Sequence, residues 1–269
     1  MKDLIELFKE CNKQEGYITV KVGEKRFQKY EVDYKFIEEN DVLYIFFEPS
    51  DGRTDWVVNF SYWRKPYDDM EIGYRVHGGF LASWELIKDA IRAKVKERSA
   101  DGRYKHKKVV IAGYSHGGAL AALCHECVWF EREDLREGDG IVGISFDGPR
   151  MYGGLWVKKE LRERWRNFYV FRNHSDIVTH LPPVAFFFRH VGTKVMIGAE
   201  KNPGLIKAHY PNEILKSLND FVVNGAMPLK EKIISILQGA LDVAEKARDT
   251  DMSDVREKFE EIVEKMSEE

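Results

Sequence analysis

Residues 109–121, Val-Val-Ile-Ala-Gly-Tyr-Ser-His-Gly-Gly-Ala-Leu-Ala, decide the fold of this 269-residue chain. The apolar, β-branched run at 109–112 predicts a buried strand, and the small residues after Ser115 predict a helix. Between them, Gly113, Ser115 and Gly117 form a G-x-S-x-G pattern, which is typical of a sharp strand-to-helix turn. Side chains two residues either side of this serine would collide with neighbouring backbone, so glycine is needed there. The stretch therefore predicts a serine at a helix N-terminus, where free N–H groups stabilise negative charge.

The order of strand, serine-bearing turn and helix is that of the nucleophile elbow in α/β-hydrolases. Further strands are predicted at 17–20, 30–36, 42–47, 141–146 and 168–171, with a hairpin around 185–197. Apolar residues at helical spacing predict helices over 80–95, from the elbow to about Phe130, and from about Asn212. Strands that alternate with helices predict an α/β-hydrolase fold, with a mostly parallel central sheet flanked by helices.

The composition changes after Met227, which divides the chain into two predicted parts. We expect residues 1–226 to form the catalytic domain and residues 227–269 to form a C-terminal tail. Apolar stripes predict two amphipathic helices in the tail, at 228–248 and 252–267, packed on the body. A partner-binding or membrane-surface role stays open, although the glutamate-rich polar face disfavours an anionic membrane.

Charge and composition restrict the class of protein further. A net charge of −3 gives no electrostatic reason to expect binding to nucleic acid. The sequence contains no run of 18 or more apolar residues, so it predicts no membrane span. Residues 1–10 are charged and lack the apolar core of a signal peptide, so the sequence predicts a cytoplasmic protein. Three cysteines, Cys11, Cys124 and Cys127, are too few and too unevenly placed for a disulfide framework and are expected to pack. The sequence does not indicate the oligomeric state.

A serine nucleophile needs an imidazole to take its proton and an acid to orient that imidazole. In α/β-hydrolases the chain order is serine, acid, histidine. Asp147 and Asp176 each follow a predicted strand. Asp147 stands in a Gly-Pro tight-turn composition, which favours a structural role. Asp176 follows the next strand along the chain and is the favoured acid.

Three histidines that follow Asp176 are considered as the base. His180 lies only four residues after Asp176, and His190 falls in a predicted strand. His174 and His180 are expected to line the rim of the site or to bond within loops. His209 follows a loop and precedes a predicted helix, so it is the favoured general base.

Several segments of the chain resemble the class 3 lipases, the family that includes the fungal triacylglycerol lipases. The family elbow, typically GHSLGGALA, corresponds to residues 113–121, with His116 in place of leucine. Its F-G-x-P-R-x-G turn corresponds to residues 146–153, with Asp147 in place of the first glycine. Its D-x-V-x-x-L-P-P segment corresponds to residues that begin at Asp176, which places the triad acid there. The resemblance covers about residues 40–212.

The resemblance also implies an oxyanion hole and a lid. The family's F-R-G-S/T segment corresponds to residues 47–50, so Ser50 and the N–H of His116 are the implied oxyanion donors. Glu48-Pro49 replaces Arg-Gly beside that serine, and Ala208 replaces the aspartate that precedes the family's catalytic histidine. The implied lid covers about residues 51–74. Its aromatic residues Trp56, Phe60 and Trp63 are expected on one face of a short helix, the alternative being that they pack on the body.

Together, the residues and the resemblance predict a serine carboxylic ester hydrolase, either a lipase or an esterase, that acts on acylglycerols or other fatty-acyl esters. The expected partners are a lipid or other ester substrate and, through the lid, a transient lipid interface. The chemistry requires neither a metal nor a cofactor. Phospholipase A1, a short-chain or feruloyl-type esterase and an acyltransferase are the alternatives among enzymes. A non-catalytic lipid- or protein-binding module on the same scaffold is the alternative from another class.

Overall fold

A computed structural model describes residues 2–21, 31–48, 63–68, 73–198 and 204–224. Its strands are β1 (Ile18–Lys21), β2 (Glu31–Glu39), β3 (Val42–Phe47), β4 (Arg64–Tyr67), β5 (Tyr74–His77), β6 (Lys108–Tyr114), β7 (Ile141–Phe146), β8 (Tyr152–Gly153), β9 (Phe168–Asn173), β10 (Phe188–Arg189) and β11 (Thr193–Ile197). Its α-helices are α1 (Leu4–Asn12), α2 (Gly78–Glu85), α3 (Lys88–Val95), α4 (His116–Glu131), α5 (Lys159–Arg162) and α6 (Pro211–Asn224).

Seven strands form the central sheet, in the order β1-β2-β3-β6-β7-β9-β11. Five of these strands run parallel: β3, β6, β7, β9 and β11. The other two, β1 and β2, join the edge of the sheet in antiparallel pairs. The carboxyl ends of the parallel strands meet at one edge of such a sheet, where an open α/β fold places its site. This architecture confirms the predicted α/β-hydrolase fold with a mostly parallel sheet.

Helices cover the sheet on both faces. Alternate residues of a strand point to opposite faces, so Leu43, Ile45 and Phe47 of β3 pack against α2, α3 and α4. The intervening residues Tyr44 and Phe46 pack on the other face, against α1 and α6. All three cysteines are buried and unbridged within these two cores, as expected.

The helix predicted over 80–95 is interrupted. The structure has α2 and α3 instead, because the N–H groups of Leu86 and Ile87 bond to carbonyls three residues back, at 3.3 and 3.0 Å. The tighter turn rotates the second half of the segment. Trp84 and Ile91 are both fully buried, so each half keeps its apolar side toward the core.

The prediction of a hairpin around 185–197 was wrong. Strand β10 pairs antiparallel with β8 in a separate four-stranded sheet of order β10-β8-β5-β4, whereas β11 pairs parallel with β9. Gly192 redirects the chain between them with a φ of +72°, in close contact with the backbone of Phe168. Two neighbouring runs of β-forming residues therefore belong to different sheets.

Part of the predicted lid forms strands. Of residues 51–74, the structure describes 63–68 and 73–74, where β4 pairs antiparallel with the start of β5. Pro66 disfavours a helix there. Trp63 is 68% exposed and lies just before β4 outside any helix, so the helical prediction was wrong for this residue. Tyr67 is buried and accepts a hydrogen bond from the indole N–H of Trp84 at 3.1 Å.

The remaining predictions for the lid and the tail concern residues outside the described ranges. Trp56 and Phe60 of the lid, the oxyanion candidate Ser50 and the helices at 228–248 and 252–267 all belong to this group.

Candidate active site

Ser115 stands on a strained turn between β6 and α4. Its φ and ψ are 57° and −125°, an unfavourable conformation for a residue with a side chain. Holding a residue in such a region costs on the order of 1–3 kcal/mol, which the surroundings must offset. The N–H of Ser115 donates to the carbonyl of Phe146 at 2.9 Å, and its carbonyl accepts from Gly118 N–H at 2.9 Å.

The glycines on either side of Ser115 are required by close backbone contacts. A Cβ on Gly113 would lie 2.0 Å from the carbonyl oxygen of Gly117, and a Cβ on Gly117 would lie 2.4 Å from that of Phe47. Both distances are far below van der Waals contact. The crowding expected from the G-x-S-x-G pattern is therefore present, and it brings β3 against the turn that carries Ser115.

The structure brings the three predicted catalytic side chains together. The Nε2 of His209 lies 2.9 Å from Ser115 Oγ, and its Nδ1 lies 2.6 Å from Asp176 Oδ2. Ser115 follows β6, Asp176 lies in the loop after β9, and His209 lies in a 3-10 turn just before α6. The side chain of Asp176 is fully buried and that of His209 is 13% exposed, so the imidazole is open to solvent on one side.

Backbone hydrogen bonds hold Asp176 in place. Its Oδ1 accepts from the N–H of Val178 at 2.8 Å, and its own N–H donates to the carbonyl of Asn173 at 3.1 Å. Burial raises the pKa of the Asp176 carboxyl, while the Val178 N–H and the Arg172 guanidinium oppose that rise. A carboxylate held in this way accepts a hydrogen bond from an imidazole in a fixed direction.

Two residues that the sequence did not single out position the turn of His209. The Tyr114 hydroxyl donates to the carbonyl of His209, and the two rings pack with centroids 5.2 Å apart. The side-chain amide of Asn173 donates to the carbonyl of Ala208 at 2.8 Å and accepts from Ser217 Oγ at 2.9 Å. Asn173 is the last residue of β9 and lies three positions before Asp176. This position was the signal in the sequence that could have identified Asn173 as a residue of the site.

His116 is the first residue of α4, where a backbone N–H lacks a partner within its helix. Its imidazole Nε2 lies 3.4 Å from Ser83 Oγ, and its ring packs on Phe80 with centroids 5.5 Å apart. Burial lowers the pKa of His116 to about 4, so the ring is neutral near pH 7. The second predicted oxyanion donor, Ser50, lies outside the described residues, two positions beyond Glu48.

The other histidines considered as bases do not bridge the serine and the acid. The Nε2 of His180 faces Arg172 Nη2 at 3.1 Å, and that of His190 faces the carbonyl of Thr179 at 2.8 Å. Burial, with Arg172 and Arg150 nearby, lowers the pKa of both rings. His190 lies between β10 and β11, so its predicted place within a strand was wrong. The Nδ1 of His174 lies 3.2 Å from Ser175 Oγ.

Among the described residues, side chains of metal-ligating type converge at Glu38, Glu97 and His106. This group lies by the start of β6, at the opposite end of that strand from Ser115. The Lys94 ammonium pairs with Glu97 at 2.9 Å, and the Lys105 ammonium pairs with Glu38 at 2.5 Å. The lysines and His106 lower the pKa of Glu38 to about 2, and the group forms an ion-pair network.

The sheet, the elbow and the acid–imidazole–serine arrangement define an α/β-hydrolase. Residues 44–186 match the family model described as lipase (class 3). This match spans more than half of the chain, so the chain belongs to the class 3 lipase family, as the sequence resemblance predicted.

Comparisons with individual proteins agree with this family. A lipase of Rhizomucor miehei is 28% identical over 169 residues, which cover 60% of this chain and 43% of the relative. The secreted mono- and diacylglycerol lipase 1 of Fusarium solani is 29% identical over 137 residues, covering 51% and 38%. A triacylglycerol lipase structure, described as having a serine protease triad at its catalytic centre, superposes with a TM-score of 0.54 at 26% identity, covering 69% of this chain and 68% of that one.

The chain spans less than half the length of these two curated relatives. The Fusarium relative is named as a secreted enzyme, so the comparisons give no support to the cytoplasmic location predicted from the sequence. Within the described ranges, none of the helices combines the length and the apolar composition that crossing a membrane requires.

Proposed function

We propose that this protein is a serine carboxylic ester hydrolase that cleaves acylglycerols or other fatty-acyl esters. The observation that carries the proposal is the continuous contact from Asp176 through His209 to Ser115, at 2.6 and 2.9 Å. Side chains from three separate loops converge there in the order of a catalytic triad. Membership of the class 3 lipases supports the same chemistry.

In the acylation step, Ser115 Oγ attacks the ester carbonyl carbon while His209 Nε2 takes the hydroxyl proton. Asp176 keeps Nδ1 of His209 protonated, which leaves Nε2 free to accept, and it stabilises the imidazolium that forms. The tetrahedral intermediate then collapses, the bond to the leaving alkoxide breaks, and His209 gives that oxygen its proton. A water molecule repeats the sequence on the acyl-enzyme, with His209 again as base and then as acid.

The negative oxygen of each intermediate needs donors that are in place before the reaction. We assign the backbone N–H groups of His116 and Ser50 to this role, the first at the start of α4 and the second from the family resemblance. Loss of one such donor raises the barrier by about 2.7–4 kcal/mol. The neutral ring of His116 adds no charge beside the oxyanion near pH 7.

Exposed aromatic side chains support an apolar substrate or interface. Trp63 before β4, Trp156 after β8, and Phe186 and Phe187 before β10 are all at least 41% exposed, and all adjoin the four-stranded sheet. The guanidinium of Arg64, the residue after Trp63, lies 5.2 Å from the ring of Phe187, and contiguous exposed apolar surface marks contact sites for lipids or partners. We therefore propose that this side of the molecule contacts a lipid surface transiently, together with the lid predicted at 51–74.

An ester series tests the proposed function. p-Nitrophenyl esters and monoacylglycerols with acyl chains of C2 to C18 would be assayed below and above their solubility limits, with Ser115→Ala as the blank. We expect turnover of the longer chains and a rise in rate once substrate aggregates form. A preference for monomeric C2–C4 esters would instead assign a short-chain esterase. The absence of turnover on every ester would favour the non-catalytic binding module.

A further inference from the structure

Asp147 is a fully buried acid for which the proposed mechanism has no role. It follows β7 directly and has a φ of 47°, in the left-handed region that favours glycine. Its N–H donates to the carbonyl of Phe171 at 2.8 Å, which fixes the turn beside β9. Glycine is usual at this position in the family that the sequence resembles, so the carboxyl is a feature of this chain.

Among the described residues, hydrogen-bond donors satisfy only one of the two carboxyl oxygens of Asp147. Oδ1 accepts from the N–H of Asn173. Within the part of the chain that the structure describes, no hydrogen-bond donor reaches Oδ2. The neighbouring acid is Asp176: the N–H of Asn173 donates to Asp147 Oδ1, the carbonyl of the same residue accepts from the N–H of Asp176 at 3.1 Å, and the two carboxyl groups interact. Two ionised carboxylates are both acceptors, so this contact is favourable only if one of them carries a proton.

The partners of each acid indicate which one holds the proton. Asp176 accepts from Val178 N–H and faces His209 Nδ1, and both contacts stabilise its ionised form. Within the described ranges, the donor to the Asp147 carboxyl is the Asn173 N–H. Burial and the neighbouring Asp176 carboxylate raise the pKa of Asp147 well above its usual value, whereas His209 and Arg172 oppose that rise.

We propose that Asp147 is a positioning residue whose neutral carboxyl donates a hydrogen bond to Asp176 and so holds the Asp176 carboxylate in place for His209. The inference rests on the proposed triad. The charged and titratable groups that face Asp147 are Asp176, His209 and Arg172, from the loop after β9, the turn before α6 and β9 itself. In its neutral form, Asp147 packs beside the triad as a second acid and adds no second negative charge.

The pH dependence of kcat/KM distinguishes the two charge states of Asp147. In Asp147→Ala, Asp176 loses a donor, so its anion is less stabilised and the pKa values of Asp176 and His209 both rise. The acid limb of the kcat/KM profile is expected to move up by about one pH unit, which lowers kcat/KM roughly tenfold at pH values on that limb. Asp147→Asn keeps a neutral donor at this site and tolerates positive φ, so it should restore most of kcat/KM and leave the acid limb in place.

An ionised Asp147 would give the opposite sign. Removing a negative charge would lower the pKa of His209, and both variants would then move the acid limb to lower pH, which would overturn the proposal. A lower kcat/KM in Asp147→Ala without any pH shift would also overturn it, because that result indicates a structural role alone. If Asp147→Ala does not fold, Asp147→Asn decides together with the infrared band described below: an unmoved acid limb and loss of that band support the proposal, and a limb moved to lower pH overturns it.

Infrared spectroscopy tests the protonation state without any turnover. At pH 7, the wild-type protein should show the carbonyl stretch of a buried protonated carboxylic acid, and Asp147→Asn should lack it. Identical spectra would contradict the proposal. If the wild-type protein hydrolyses no ester, the proposed function fails, whereas this band still reports on Asp147 independently.

Discussion

Replacing Ser115 by alanine is expected to lower kcat for p-nitrophenyl butyrate by roughly 10⁶-fold. The variant loses the oxygen that forms the acyl-enzyme, while His209 and Asp176 keep their contact. The rate that remains comes from water attacking substrate in the preorganised site. The measurement is the steady-state rate of the purified variant, with thermal unfolding showing that the fold is kept.

Ser99→Ala is the matched control for that experiment. Ser99 is exposed and lies in the loop before β6, at the far end of that strand from the elbow. This variant should keep kcat within about twofold, as surface substitutions leave the fold nearly unchanged. A Ser115→Ala protein that turns over esters at a near wild-type rate would show that Ser115 is not the nucleophile.

Replacing Asp176 by asparagine should lower kcat/KM by about 10⁴-fold. The amide introduced by this substitution would donate to His209 Nδ1, and the imidazole would then carry its proton on Nε2, pointing at Ser115. That tautomer cannot accept the serine proton. Rates on soluble esters at several pH values measure the loss, and circular dichroism of the variant reports on the fold.

Asp139→Asn provides the control for the loss of a carboxylate. Asp139 is 83% exposed and pairs with Lys108 on the surface, so its replacement should leave kcat/KM within about twofold. If Asp176→Asn kept more than a tenth of the activity while Asp147→Asn lost it, the triad acid would be Asp147. That is the other acid that the sequence left open.

The site was predictable where it depends on local sequence or on strand ends. Gly113, Ser115 and Gly117 lie within five residues, and the close contacts that require these glycines arise around one turn. Asp176 was identified because it follows a strand that was itself visible. The prediction of His209 required only that the loop before α6 lead back to the edge of the sheet where Ser115 and Asp176 lie.

The predictions failed where a segment's partner lies far along the chain. The strands β10 and β11 each contain β-forming residues, but their assignment to two sheets depends on β8 and β9. The place of Trp63 is a different case, because β4 pairs with β5 at close range, from Tyr67 opposite Tyr74 onward. The bonds of Asp147 to β9 likewise depend on the parallel pairing of β7 with β9, which reasoning from single residues could not supply.

The most direct test of the central claim is the site at which a fluorophosphonate reacts with the folded protein. Such probes phosphonylate a serine only when a neighbouring base activates it and donors stabilise the resulting oxyanion. Intact mass and peptide mapping should show a single adduct on Ser115, abolished in Ser115→Ala and slowed strongly in Asp176→Asn. An unreactive wild-type protein, or an adduct on another residue, would contradict the assignment of Ser115, His209 and Asp176 as a working triad.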